Sequence, residues 1–203
     1  MSSNPGSPSE TRPRETAGPR LLVGESVYLR RMEPGDLEHV LRWLSDAELC
    51  GLIGHPGVHS RQEVEAWYER ASAEPTRRWY VILTSEDDRV IGEAGLLRMD
   101  ERWRTTDMSI VIGERDAWRR GYGREVGRIL LSLAFDDCGM HRVAVGVVGF
   151  HEGALRFWES LGFRREGLQR DGYLHEGRFH DFVMMSMLEN EWLALRGSAA
   201  SRD

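Results

Sequence analysis

The stretch Asp107–Phe163 reads DMSIVIGERDAWRRGYGREVGRILLSLAFDDCGMHRVAVGVVGFHEGALRFWESLGF. It predicts a strand, a glycine-rich turn, a helix, a second strand and a second helix in succession. The β-branched run SIVI closes the first strand at Gly113. Val126, Ile129, Leu130, Leu133 and Ala134 then recur at helical spacing, so one face of the following helix is apolar. Between the two, Gly121 and Gly123 sit among Arg119, Arg120 and Arg124, where that helix must begin. Glycines let backbone N–H groups converge without Cβ interference, and a helix N-terminus adds partial positive charge. The turn therefore predicts an anion site suited to phosphates, although a glycine pair here also reads as a simple helix cap.

No Gly-x-x-x-x-Gly-Lys-Ser/Thr occurs, which excludes a P-loop. A dinucleotide fingerprint would set its first glycine at the strand end, whereas Glu114–Arg120 intervene after Gly113 and no further βαβ unit follows. Trp118-Arg119-Arg120-Gly121-Tyr122-Gly123 instead resembles motif A of the GNAT N-acetyltransferases, Gln/Arg-x-x-Gly-x-Gly/Ala, at both glycines. His151-Glu-Gly-Ala154-Leu-Arg-Phe157-Trp158-Glu-Ser-Leu-Gly162-Phe163 resembles their motif B, approximately Asn-x-x-Ala/Ser-x-x-x-Tyr/Leu-x-x-x-Gly-Phe. Trp118 at the head of motif A is similar to the branch holding the ribosomal-protein N-terminal and spermidine acetyltransferases. The likeness extends on both sides, from VYLRRMEPGDLEHVLRWLSD to EGRFHDFVMMSMLENEW.

The 203 residues, 40% of them apolar, suffice for one well-filled core and leave little room for a second domain. A net charge of −6 argues against a general nucleic-acid binder. Cys50 and Cys138 fit no disulfide framework or zinc spacing, which points to a reducing compartment. No apolar run has the length of a membrane span and no signal-peptide core is present, so a cytoplasmic protein is expected.

Residues 1–20 are rich in proline, nearly free of large apolar side chains, and expected to form a disordered tail. Residues 21–195 are expected to form one domain and 196–203 a C-terminal tail. LLVGESVYLRRM reads as the first strand, and Pro34–Glu48 as an amphipathic helix with Leu37, Val40, Leu41 and Leu44 on one face. LCGLIGHPGVH then reads as a glycine-rich mobile lid, which the resemblance implies helps wall the acceptor cleft. Ser60 and Glu63 make a capping box that opens a helix reaching Ala73. Trp79–Thr84 and Val90–Arg98 are strands, Arg164–Tyr173 and Arg178–Leu188 a hairpin, and Glu189–Leu195 a short terminal helix. The order βααβββαβαββ is the GNAT layout, an α+β fold whose mixed, mostly antiparallel sheet carries helices on both faces.

The resemblance implies acetyl-CoA as co-substrate and transfer of its acetyl group to a primary amine by direct attack on the thioester. It implies that Ile110, Val111 and Ile112 pair with the pantetheine arm and supply an N–H to the thioester carbonyl. Backbone N–H groups of Arg119, Arg120, Gly121, Tyr122, Gly123 and Arg124 would hold the pyrophosphate. His151, Ala154, Phe157 and Trp158 would line the pantetheine tail. Arg124 and Arg128 read either as charge near the nucleotide or as solvated arginines. Motif B departs from the family pattern twice. His151 replaces the usual Asn, and Trp158 stands where a Tyr acid often does, although an indole N–H has no useful acidity. Tyr173 is then a candidate acid, or a sheet-edge aromatic. Asp107 and Glu93 are candidate bases, or ordinary strand-end carboxylates.

Freeing a lysine-like amine at pH 7 costs about 4–5 kcal/mol, against about 1 for a peptide α-amine. A chain without an evident acid–base pair therefore favours an α-amine or an amine of lowered pKa. The acceptor classes are a protein N-terminus, a polyamine or an amine-bearing small molecule; a homodimer is also compatible with the family. A different reading is a CoA-binding sensor that has lost turnover. No metal is expected: His55 and His59 are separated by Pro56 and Gly57, and no HExxH occurs.

Overall fold

The computed structural model describes residues 19–57 and 59–200. Its strands are β1 (Leu22–Val23), β2 (Val27–Arg31), β3 (Arg78–Thr84), β4 (Val90–Asp100), β5 (Thr105–Ile112), β6 (Arg142–Val148), β7 (Arg164–His175) and β8 (Arg178–Leu188). They form one sheet of 8 strands in the order β1-β2-β3-β4-β5-β6-β8-β7. Every neighbouring pair is antiparallel except β5 with β6. The helices are α1 (Leu37–Leu44), α2 (Ala47–Ile53), α3 (Arg61–Ala73), α4 (Tyr122–Ser132), α5 (Glu152–Leu161) and α6 (Glu189–Ala200).

Alternation along β3 shows how the sheet acquires two cores. Tyr80 and Ile82 join a cluster with Val126, Leu130, Leu155 and Trp158 from α4 and α5. Val81 and Leu83 join another with Leu37, Val40, Leu49 and Val64 from α1, α2 and α3. The mixed sheet with helices on both faces is therefore as expected from the resemblance.

Three boundaries differ from the sequence reading. Gly24 and its neighbours turn the first strand back on itself, so β1 pairs antiparallel with β2. The helix expected over Pro34–Glu48 is broken at Asp46, whose extended backbone lets its side chain accept the Leu49 N–H at 3.1 Å and start α2. The expected lid is thus helical to Ile53, and Gly54 at φ +69° ends it. At the C-terminus the helix continues past Leu195 to Ala200. Trp192 stacks on Phe135 at 6.1 Å between centroids and Arg196 meets Asp136 at 2.7 Å. Periodicity missed this, because only one side of the helix is held and the tie is long-range. Of the expected N-terminal tail, residues 1–18 lie outside the described residues, while Arg20 meets Asp88 at 2.8 Å and lies over the Tyr28 ring.

The α1 end of the fold rests on a buried ion pair. Arg30 reaches Asp36 through two hydrogen bonds of 2.7 and 2.8 Å, and Asp36 also accepts the Glu33 N–H at 2.8 Å. Removing one member strands the other without water, so Asp36→Ala should cost about 3–5 kcal/mol of unfolding free energy. Urea denaturation checks this; a loss below about 1 kcal/mol, the range of exposed pairs, would show that the pair contributes as a surface bridge does.

Candidate functional site

Strands β5 and β6 pair only at Thr105–Arg142, Thr106–Val143 and Asp107–Ala144. Beyond Asp107, β5 bonds on its other edge to β4 as far as Ile112, and β6 to β8 as far as Val148. The facing edges from Met108 and Val145 onward therefore have no strand partner, and a gap of about 130 Å³ opens between them. His151, Ala154 and Trp158 of the following helix close its far side.

The gap leads into a cavity of about 390 Å³ over the glycine turn. Gly121 takes φ +88° as N-cap of α4, and Arg119 takes φ +60°, a conformation non-glycine residues rarely hold. These two reversals turn successive N–H groups the same way. Those of Arg119, Arg120, Gly121, Tyr122 and Gly123 find no acceptor among the described residues. The first N–H bonded within the turn is that of Arg124, to Gly121 at 3.0 Å. An unsatisfied row of donors at a helix start is an anion cradle. Trp118 fixes the turn to the strand, its indole N–H donating to the Ile112 carbonyl at 2.7 Å.

Nearly all the residues expected at this cavity line it: Ile110, Val111, Ile112, Arg119, Gly121, Tyr122, Gly123, Arg124, His151, Ala154, Phe157 and Trp158. Arg120 is the exception; only its backbone N–H belongs to the turn. His151, where the family pattern has Asn, is the N-cap of α5, its Nδ1 accepting the Ala154 N–H at 3.4 Å. Burial lowers the pKa of this imidazole. The neutral form is thereby favoured, and with Nδ1 accepting, that form carries its proton on Nε2. Trp158 is buried, edge-on to Phe157 and Phe163 at 4.9 and 5.0 Å.

On the opposite side of β5 lies a third cavity, of about 410 Å³. Glu93 lines it because its cross-strand partners, Val81 and Val111, both face the α1–α3 core. Its carboxyl keeps one face toward the cavity and is otherwise surrounded by protein. Burial pushes its pKa up to about 7, against the opposing pull of the Trp79 N–H at 3.1 Å and of Arg77. A carboxyl of that pKa is poised to exchange protons near neutrality. Val111 and Ile53 line all three cavities, so the cavities converge there.

Asp107 and Tyr173 are not brought to this junction. Asp107 sits where β5 and β6 are still paired, and its carboxylate is held by Arg98. Tyr173 lies on the β7–β8 hairpin, stacked with His175 at 5.7 Å and tilted against Phe182 at 5.9 Å. Neither lines any of the three cavities. Strand pairing holds Asp107 away from the three cavities, and the hairpin's aromatic cluster does the same for Tyr173. The sequence reading took Leu49, Leu52 and Ile53 only as part of a lid, whereas they wall the first cavity, and it missed Trp67, Arg70, Arg77 and Trp79, which wall the third. The glycine-rich lid was the signal for the α2 residues; nothing local marks the others. Among the described residues, no group of three His, Cys, Asp or Glu is disposed to hold a metal, and no helix is long and apolar enough to cross a membrane.

Residues 26–164 match the family model described as Acetyltransferase (GNAT) domain. The uncharacterized N-acetyltransferase p20 of Bacillus licheniformis is 26% identical, covering 84% of this chain and 97% of its own. The spermidine N(1)-acetyltransferase of Vibrio cholerae is 22% identical, covering 84% and 98%. A crystal structure of spermidine N-acetyltransferase from Vibrio cholerae, in complex with CoA and spermine, superposes with a TM-score of 0.77 over 83% of this chain and 98% of that one, at 22% identity.

Proposed function

This chain belongs to the GNAT acetyltransferase family and is an acetyl-CoA-dependent N-acetyltransferase; on that premise we propose that it holds acetyl-CoA on one side of β5 and its amine on the other. Convergence of the three cavities at Val111 and Ile53 carries this reading, because transfer needs the two reactants within contact of each other.

The unsatisfied N–H row of Arg119–Gly123 fits a pyrophosphate, and the gap beyond Asp107 fits an extended amide-bearing arm that completes the edges of β5 and β6. Acetyl-CoA supplies an activated acyl carbon at the end of that arm. Glu93 takes the proton that the amine gives up, directly or through a water in the cavity. A protonated amine loses affinity for a site that is partly desolvated and contains arginines, so the cavity itself favours the neutral, nucleophilic form. His151, neutral and protonated on Nε2, donates a hydrogen bond into the gap. The thiolate departs with water's help or unassisted, since Trp158 cannot give a proton and Tyr173 lies elsewhere. Acetyl-CoA chemistry and two unpaired cysteines favour the cytoplasm as the location.

The acceptor is a primary amine with a small charge cost at pH 7, an α-amine ahead of a polyamine. A relative named for spermidine keeps the polyamine in the test. Acetyl-CoA mixed with peptide N-termini, amino acids, polyamines and aminoglycosides should release free thiol in an amine-dependent manner. Thiol release indifferent to every amine would defeat the proposal.

Trp158 is assigned as an apolar wall of the pantetheine site. Trp158→Phe should then retain most turnover, while Trp158→Ala should weaken acetyl-CoA binding and cost about 3–5 kcal/mol of stability. Titration calorimetry and thermal melts check this; equal loss of activity in both variants would contradict a packing role.

A further inference from the structure

We infer that the acceptor carries a carboxylate near its amine, held by Arg70 and Arg77 while the amine faces Glu93; this rests on the assignment of the Glu93 cavity to the amine. Arg77 is placed for it: its charge acts on Glu93, so the two groups lie within electrostatic reach. Its Nε is buried without a hydrogen bond, although Glu74 stands 3.2 Å away. His59, on the same cavity, likewise has a buried Nε2 with no partner. Arg70 lines the mouth, is exposed, and has no ion-pair partner among the described residues. Buried polar atoms left without a hydrogen bond at a cavity wall are costly unless a ligand completes them.

The acidic groups nearby offset these cations only in part, since Arg70 has no ion-pair partner among the described residues. Glu63 also lines the cavity, its carboxylate turned to the Ser60 N–H at 2.7 Å and hydroxyl at 3.0 Å in the α3 capping box. Glu74 forms the 3.2 Å ion pair with Arg77 and accepts from the Thr76 hydroxyl at 2.9 Å, but it does not line the cavity. Glu93 is half-protonated near neutrality. A carboxylate-bearing amine therefore meets cations at one end and a base at the other. A diamine would set its second ammonium against arginines, a repulsion that discriminates as strongly as any attraction. A neighbouring cavity of about 260 Å³ shares Trp67, Arg77 and Trp79 with this one, giving room for an apolar body beside the carboxylate.

The test compares kcat/KM for amino acids, their carboxamides and 1,4-diaminobutane, each corrected for the amine's own pKa. The carboxylates should be preferred about tenfold or more, as a charged hydrogen bond predicts. Arg77→Gln should bring the carboxylate-to-carboxamide ratio toward one. Arg70→Gln, on an exposed side chain, does the same in part and guards against a folding defect in the other variant. Amine-dependent thiol release with equal or better use of carboxamides or the diamine overturns the inference and leaves the acetyltransferase assignment standing. Absence of thiol release with every amine overturns both.

Discussion

Gly123→Glu is expected to lower acetyl-CoA affinity on the order of 10²-fold or more while leaving the domain folded. A Cβ at this position would touch only Phe157, at 3.4 Å, and next Ile112, so the backbone tolerates a side chain. The residue also lines the anion cavity, where the N–H groups of Arg119–Gly123 have no acceptor. A carboxylate there fills the cradle and repels the phosphates it would hold. Gly123→Ala adds the Cβ alone and should lose far less, which separates charge from bulk. Calorimetry showing wild-type affinity in folded Gly123→Glu would remove the pyrophosphate from this turn.

Glu93→Gln should cut kcat/KM by about 10²–10⁴-fold, the usual share of a general base, with acetyl-CoA affinity unchanged. The pH profile carries the sign. Glu93 must be ionised to accept a proton, and its pKa is raised to about 7 by burial. Wild-type kcat/KM should therefore rise with pH through about 7, and that limb should vanish in the variant, leaving only the amine's own titration. Stability should move oppositely. A carboxyl whose pKa is raised in the folded state binds its proton more tightly there, so stability declines as pH climbs from the unfolded value of about 4.3 to about 7. Glu93→Gln removes that penalty: it should melt higher than wild type at pH 8, with the difference fading toward pH 4. Retained activity with an unaltered pH limb would reassign the base.

The side proposed for the cofactor was legible because its pattern is written locally. Trp118–Gly123 and His151–Trp158 are short motifs whose neighbours in sequence are neighbours in space, so almost every residue named from them lines the cavity. On the side proposed for the acceptor only Glu93 and the glycine-rich segment were legible, because the rest is assembled across the sheet. Glu93 faces the cavity through its pairing with Val81 and Val111, a register that the sequence does not print. Trp67 and Trp79 meet edge-on at 6.4 Å from a helix and a strand, and only their packing makes them a wall. Asp107 shows the converse: the resemblance offered it as a base or an ordinary strand-end carboxylate, and the structure places it where β5 and β6 pair, held by Arg98. The break at Asp46 failed for a local reason, since a helix cap can be mistaken for a helical residue when the apolar face runs through it.

A single-turnover experiment tests the central claim most directly: acetyl-CoA labelled in its acetyl group, mixed with excess enzyme and an amino acid acceptor, then quenched and resolved by mass spectrometry. Direct transfer between the two sides of β5 predicts that label appears on the amine nitrogen at the rate at which free CoA thiol forms, with none on the protein. Label accumulating on the protein before the amine, or leaving only as acetate, would contradict it.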